Sequence, residues 1–448
     1  MMHAIPTATS SVHLSHPATA ADHLGREQLA AQQTERFRQT VDWAFERVPW
    51  YHQRYASAGI SPDDIRTLSD LAHLPFITKD DLRAAYPRGL FAVLPDEVLR
   101  LHASSGTTGK QVLIPYTRAD LNVWTEVMTR VLTWFGVQPG DVLQNAYGYG
   151  LFTGGLGFHY GAEALGATVI PVSGGNTDRQ IAVMQDFGAT VVCCTPSFFL
   201  HVADRALELG VDLRKLQLRV GVFGAEPWSE EMRQRIEQAA GLEAFDIYGL
   251  AEIIGPGVAA ECPAHQGLHV LEDHFYPEVI DPVSGRGVPD GQPGELVLTT
   301  LSKQALPMLR YRTGDITAID PGPCPCGRTL RRIRRVSHRN DDLFIVKGVN
   351  VFPAQIEAAL LAVKGTLPHY QIVLNHRQDQ ERAEVQIEVS PEMFSDRIGV
   401  LEELHGKLSR AIRQAVGVQL DVRLVEPRSL ARSEGKAQRV IDQRGAAG

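Results

Sequence analysis

Between positions 141 and 248 the chain alternates short apolar runs with longer stretches of helical periodicity, and no other feature limits its fold as much. The apolar runs cover residues 142–146, 168–172, 190–194, 219–224 and 244–248. Strands joined by helical crossovers pair in parallel, so this stretch predicts an α/β domain built on a parallel sheet. Ligands of such sheets gather at the carboxyl ends of the strands. The segments 145–150, 224–227 and 248–252 follow three of these runs and are the expected walls of a site.

Upstream, Ser104, Ser105, Gly106, Thr107, Thr108, Gly109 and Lys110 collect hydroxyls, glycines and one lysine. The flanking runs, 98–102 and 111–115, read as short strands, so the loop turns a hairpin. A Walker-type loop needs a glycine where Ser104 stands, a Ser or Thr where Gln111 stands, and a helix straight afterwards. All three are missing. What remains is either a loop that offers hydroxyls, amides and a cation to a polyphosphate, or a flexible Ser/Gly turn.

Past Tyr276 the chain changes to turn chemistry at 281–285, 289–291 and 293–294, between the runs 275–280 and 295–300, which predicts an antiparallel, barrel-like element. A basic run, 331–335, precedes a small unit that opens at 343–346 and is ordered strand, helix, strand, strand, helix, strand. Leu401, Leu404, Leu408 and Ile412 give its second helix an apolar face. At 448 residues two or more domains are expected. The boundaries expected are a disordered tail over 1–24, a large domain over 25–340 and a small one over 341–448. The tail has four histidines and no Lys or Arg, so it lacks the charged start and apolar centre of a secretion signal.

With 52 acidic and 44 basic side chains the net charge is −8, which argues against a nucleic acid or an anionic membrane as partner and favours a small metabolite. No apolar run approaches the roughly 18 to 20 residues of a membrane span. Five cysteines, with Cys193 and Cys194 adjacent, do not form a disulfide framework in a chain of this size, which suits a reducing cytoplasm. Cys262 and His269 share one turn region, and Cys324 and Cys326 form a tight knuckle. Three thiolates and an imidazole suit tetrahedral zinc with no open position, hence a structural role. His265 competes with His269 for the fourth place, and reduced cysteines in a Pro/Gly hairpin are the alternative.

Four further segments carry candidate chemistry. Glu252, after a buried strand, offers a hard oxygen to Mg2+ or is an exposed loop glutamate, and Tyr248 is available to pack on a ring. Asp315, in a polar turn, accepts sugar hydroxyl protons or caps the turn. Arg335 and Arg339 reach ribose or phosphate or form a solvated basic face. Lys436, beside Gly435, is either a cation that swings into a cleft or an ordinary tail lysine.

Taken in order along residues 37–442, these motifs resemble the adenylate-forming acyl-CoA synthetase superfamily and, within its aryl-CoA ligase branch, the phenylacetate-CoA ligases. The resemblance is carried by 104–110, 147–155, 248–252, 311–315, 347–353 and 433–436. It implies a large domain of parallel sheets with helices and a barrel-like element, plus a small mobile α+β lid. It also implies ATP, Mg2+ and coenzyme A as cofactors and an aryl acid as partner, and it allows a homodimer. The reaction implied converts phenylacetate and ATP to phenylacetyl-AMP and pyrophosphate, then coenzyme A displaces AMP.

Carried over by position, Ser104 to Lys110 hold the phosphates, with Thr107 taking a catalytic part, and Glu252 meets Mg2+. Asp315, Arg335 and Arg339 face the ribose or phosphates. Gly224, Ala225, Glu226, Pro227, Asp246, Tyr248 and Gly249 line the adenine side. Tyr147, Gly148, Tyr149, Gly150 and Phe152, with Gly224 and Ala225, line the acid pocket. Lys436 stabilises charge as the adenylate forms, and Asp341 is the hinge that exchanges it for a face near Lys347 and Gly348. Other aryl acids (benzoate, anthranilate, indoleacetate), a carrier-protein acceptor and a non-catalytic nucleotide or acyl-CoA sensor are the competing readings.

Overall fold

A computed structural model describes residues 17–104, 111–151, 153–339, 344–346, 349–363, 366–377, 380–389, 398–430 and 439–443. Helices α1 (Arg26–Arg47), α2 (Pro49–Ser57) and α3 (Lys79–Ala84) lead to the antiparallel hairpin of β1 (Arg100–Ala103) and β2 (Leu113–Tyr116). Helix α4 (Arg118–Trp134) follows. The alternating region then gives β3 (Val142–Asn145), α5 (Gly154–Leu165), β4 (Thr168–Ile170), α6 (Thr177–Asp186), β5 (Val191–Cys194), α7 (Pro196–Glu208), β6 (Val220–Gly224), α8 (Glu230–Ala240) and β7 (Glu243–Leu250). β4, β3, β5, β6 and β7 are neighbours in that order and pair in parallel, as the pattern predicts.

Both faces of these strands are covered, which is why the runs are apolar without alternation. Val191, Cys193, Val220 and Val222 belong to one core with α4 and α5, while Val192, Cys194 and Phe223 belong to a second with α6, α7 and α8. Helices α4 and α5 approach closely at Gly161, where a Cβ would stand 2.4 Å from that of Met128.

β8 (Gly255–Ala260), β9 (Leu268–Val270), and later β13 (Ile319–Asp320) and β14 (Arg332–Ile333) extend the sheet antiparallel to nine strands, with β14 between β9 and β13. The expected barrel-like element takes the form of an open antiparallel sheet of β10 (Phe275–Ile280), β11 (Gly294–Thr300), β12 (Tyr311–Thr317) and β15 (His338–Arg339). No helix among the described residues is long and apolar enough to cross a membrane.

The C-terminal unit opens with a hairpin of β16 (Phe344–Val346) and β17 (Val349–Val351), then α9 (Pro353–Leu361), β18 (Thr366–Arg377), β19 (Gln380–Val389), α10 (Ile398–Val416), β20 (Asp421–Val425) and β21 (Val440–Asp442). Its sheet runs β20-β19-β18-β21. Leu404, Leu408 and Ile412 are buried in its own core and Leu401 packs against it, the face that the spacing predicts. Leu361 at the end of α9 is instead buried in the second core of the large domain, and Arg235 Nη2 donates to its carbonyl at 3.4 Å.

One expectation is corrected. Residues 17–24 are not a disordered tail: Pro17–His23 is a short 3-10 helix, and Asp22 is wholly buried. The reason is its carboxylate, which accepts from Arg130 Nη2 and from Trp134 Nε1, each at 2.6 Å. Residues 1–16 lie outside the described residues.

Candidate functional site

The described half of the site forms where the nine-stranded sheet meets the four-stranded one. β12 and β15 are in register so that Asp315 lies opposite Arg339, and Arg339 Nη1 donates to Asp315 Oδ1 at 3.0 Å. From the end of β7, Tyr248 donates its hydroxyl to the other carboxylate oxygen at 2.5 Å. Burial, and then the Asp315 charge, hold this phenol well above its usual range. Gly249 is required at this crossing, because a Cβ there would stand 2.0 Å from the Gly255 carbonyl oxygen.

Glu252 lies in the turn between β7 and β8 and is buried. Its carboxylate has Lys79 Nζ at 3.6 Å, and Lys303 Nζ donates to its main-chain carbonyl at 3.2 Å. Neither lysine was signalled by sequence spacing. Lys79 is brought in by tertiary pairing, since Ile77 bonds Arg310 and Arg312 at the start of β12 and the Thr78–Asp81 capping box begins α3 directly after it. Lys303 is almost fully buried, which lowers its pKa to about 8 against the pull of Asp120 and Glu252.

Arg335 is not brought to Asp315. Its Nε is 3.2 Å from Asp246 Oδ2, and its guanidinium lies 4.9 Å from the Trp228 ring, which Arg233 also faces at 4.9 Å. Burial, with Glu261 next, raises Asp246 to about 6, while Arg335 opposes the shift. On the adenine side, Gly224 packs against the Ile247 carbonyl, where a Cβ would stand 2.3 Å away, and Ala225 is left-handed at φ 68°. Glu226 Oε1 accepts from the Ser197 amide in the first turn of α7 at 2.8 Å, and Pro227 is half-buried.

In the expected acid pocket Tyr147 is buried and stacked on Phe158 with ring centroids 5.1 Å apart. Its hydroxyl has no hydrogen-bond partner among the described residues. Gly148 and Gly150 are exposed, and Tyr149 is half-buried with its hydroxyl accepting from Asn145 Nδ2 at 2.8 Å. Ser104 closes the β1–β2 hairpin, its amide donating to Val112 O at 3.0 Å and its Oγ accepting from Val112 N at 3.2 Å. Ser105, Gly106, Thr107, Thr108, Gly109, Lys110, Phe152, Asp341, Lys347, Gly348 and Lys436 lie outside the described residues.

A separate cluster forms at the far end of the sheet. The pairing of β9 with β14 sets His269 opposite Arg332 and so draws the 324–330 loop over the turn after β8. The ligand atoms of Cys262, His269, Cys324 and Cys326 all lie within 4.8 Å of one another. Cys262 Sγ is 3.6 Å from Cys324 Sγ, and Cys326 Sγ is 3.3 Å from His269 Nε2. A tetrahedron with Zn–S near 2.3 Å and Zn–N near 2.0 to 2.1 Å has edges of about 3.8 Å (S–S) and about 3.5 Å (S–N), close to these spacings. His269 Nδ1 lies 3.1 Å from the Leu330 carbonyl, which only the Nδ1–H tautomer bonds, leaving Nε2 free to ligate. His265 is excluded as a competitor, since its two nitrogens face Glu243 and Glu261.

Comparison with known proteins bears on both halves. Residues 4–302 match the family model of the AMP-binding enzymes, and residues 348–444 match that of the AMP-binding enzyme C-terminal domain. The chain is similar to the phenylacetate-coenzyme A ligase of Pseudomonas putida, 49% identical over 93% of this chain and 94% of that one. Among solved structures it is similar to 2-hydroxyisobutyryl-CoA ligase in the postadenylation state, bound to R3-HIB-AMP, with a TM-score of 0.89 at 28% identity over 99% of this chain and 94% of that one. Against the thioesterification state of that ligase, bound to 2-HIB-AMP and CoA, the TM-score is 0.70 at 30% identity over 95% and 92% of the two chains.

Proposed function

Because the chain belongs to the AMP-binding enzyme family and, within it, to the phenylacetate-coenzyme A ligases, we propose that it joins phenylacetate to coenzyme A with ATP, through phenylacetyl-AMP. The carboxylate of the acid attacks the α-phosphorus and pyrophosphate leaves. The thiol of coenzyme A then attacks the acyl carbon, AMP leaves with the bonding electrons, and the thiol proton is lost to solvent.

The observation that carries this reading is the Tyr248–Asp315–Arg339 constellation. A buried carboxylate accepts both hydroxyls of a ribose, and Arg339 donates to that carboxylate and aims it. Asp246 lies two residues before Tyr248 on the same strand, and its carboxylate suits the exocyclic amine of adenine. The Tyr147 hydroxyl gives the bound acid or its adenylate a donor that the described residues leave unused.

Glu252 fits a magnesium ligand, being a buried carboxylate whose nearby cation, Lys79, sits at 3.6 Å and can yield to a divalent ion. Mg2+ bound there would offset the charge of the phosphates. Lys436 and the hydroxyls of the 104–110 loop serve the same end from the lid and the hairpin. The closer match to a postadenylation form than to a thioesterification form supports reading the present domain arrangement as that of the first half-reaction. Rotation about Asp341 would then withdraw Lys436 and bring Lys347 and Gly348 to the site.

A structural zinc at the Cys262, His269, Cys324 and Cys326 cluster belongs to the same reading and takes no part in the reaction. None of the five cysteines is joined in a disulfide, which suits a reducing cytoplasm.

The test is pyrophosphate release with ATP, Mg2+ and a panel of aryl acids, with and without coenzyme A, followed by mass analysis. Phenylacetyl-CoA and AMP as the main products bear the proposal out. A different acid preferred by kcat/KM replaces the substrate, and pyrophosphate without thioester replaces the acceptor.

A further inference from the structure

We infer that the zinc cluster is the fastening of the N-terminal segment 17–24, so that metal occupancy decides whether that segment stays on the large domain. The inference rests on the zinc reading, and its content is the connection between two places that the reaction does not use.

The connection runs through four consecutive residues after Cys326. Gly327 O lies 3.1 Å from His23 Nδ1. Arg328 Nε is 3.7 Å from Asp22 Oδ2, and its guanidinium lies 4.8 Å from the Trp134 ring. Thr329 donates its amide to Asp22 O at 2.9 Å and its hydroxyl to Leu24 O at 2.7 Å. Leu330 O holds the His269 tautomer, and the His269 ring stands edge-on to Trp134 at 6.0 Å. The main chain of the knuckle is thus the seat of residues 22–24 on one side and of the ligating imidazole on the other.

Without a metal, three thiols and one imidazole attract one another only weakly. Loop 324–330 then keeps its strand pairing but loses the tie at its tip, and the main-chain carbonyls of Asp22 and Leu24 lose their donors together. Asp22 remains drawn to Arg130 by a fully buried ion pair, so the rival account is that this pair alone holds the segment.

The experiment uses the full chain. Zinc is counted in freshly prepared, unchelated protein, then removed with a chelator under reducing conditions and restored, while hydrogen exchange is followed peptide by peptide. We expect about one zinc per chain. Chelation should speed exchange at least about 10-fold in 17–24 and 324–330 and leave 142–145 and 220–224 unchanged, and zinc should reverse it. Thr329→Val, which touches no ligand, should loosen 17–24 while the zinc content holds. Zinc present but exchange in 17–24 indifferent to its removal overturns the fastening and leaves the zinc reading intact. A count near zero overturns both.

Discussion

The carboxylates where the two sheets of the large domain meet come with partners of their own, whereas the thiols at the far end of the nine-stranded sheet face chiefly one another and His269. Asp315 is held by Tyr248 and Arg339, and Glu252 has Lys79 beside it. Cys262 and Cys324 stand Sγ to Sγ at 3.6 Å. Both clusters gather residues from distant parts of the chain, so convergence does not distinguish them. What distinguishes them is how each is neutralised. A site whose ligand leaves at every turnover must remain folded without it, and an isolated buried charge is costly, so such a site carries its own counter-groups. A site for a resident ion has no such requirement. The difference therefore reads as exchangeable against permanent occupancy.

The comparison can be pressed by mutation, the largest effect first. Lys436→Ala should slow phenylacetyl-AMP formation by about 10^2-fold or more, the scale of losing a preorganised charge, while supplied phenylacetyl-AMP still reacts with coenzyme A. Single-turnover assays of the two half-reactions check this, and an equal fall in both would remove Lys436 from the exchangeable site.

Lys303, buried beneath Glu252, probes the same pocket through pH. Its folded pKa near 8 lies below the 10.5 of an ordinary lysine, so the unfolded chain holds its proton longer and stability rises with pH between those values. Lys303→Met should erase up to about 3 kcal/mol of that rise, read as the pH dependence of the difference in urea midpoints between variant and parent. A difference that stays flat from pH 8 to 10.5 would show that Lys303 is not held partly neutral by burial.

Asp315→Asn keeps the shape but removes the charge that Arg339 and Tyr248 serve. It should raise KM for ATP about 10-fold, in line with a charged hydrogen bond worth about 1.5 to 3 kcal/mol, and change KM for the acid less. Equal rises in both would place Asp315 away from the ribose.

Smallest on the reaction is Cys326→Ser. Assayed below its thermal midpoint, its kcat/KM should stay within about 2-fold of the parent, although the midpoint falls and zinc is lost. A large fall in kcat/KM of the folded variant would break the division between the two clusters.

Much of the fold was legible because its physics is local. The parallel order of β4, β3, β5, β6 and β7 follows from apolar runs that need cover on both faces, and the Leu404, Leu408 and Ile412 face follows from a spacing of three and four. The four members of the Cys/His cluster were legible as donor types, with His265 competing for the fourth place, and that competition is decided by strand pairing and by the carboxylates that stand near His265. Arg335, at the end of the basic run, and Arg339, just beyond it, looked alike, yet register sends the second to Asp315 and the first to Asp246. Residues 17–24 looked like tail because their ties, the Asp22 carboxylate to Arg130 and Trp134 and the main chain to Thr329, reach partners more than a hundred residues away.

By itself, then, the sequence determined the α/β order, the identity of the donors and acceptors, and the family, since each is written in residue types at short spacing. Tertiary structure alone decided that Lys79 and Lys303 attend Glu252, that Arg335 turns away from Asp315, and that the N-terminal segment rests on the cysteine knuckle. Those outcomes are contacts across sheets and loops, set by burial and register, and nothing in a linear spacing encodes which of several similar charges a folded surface will bring together.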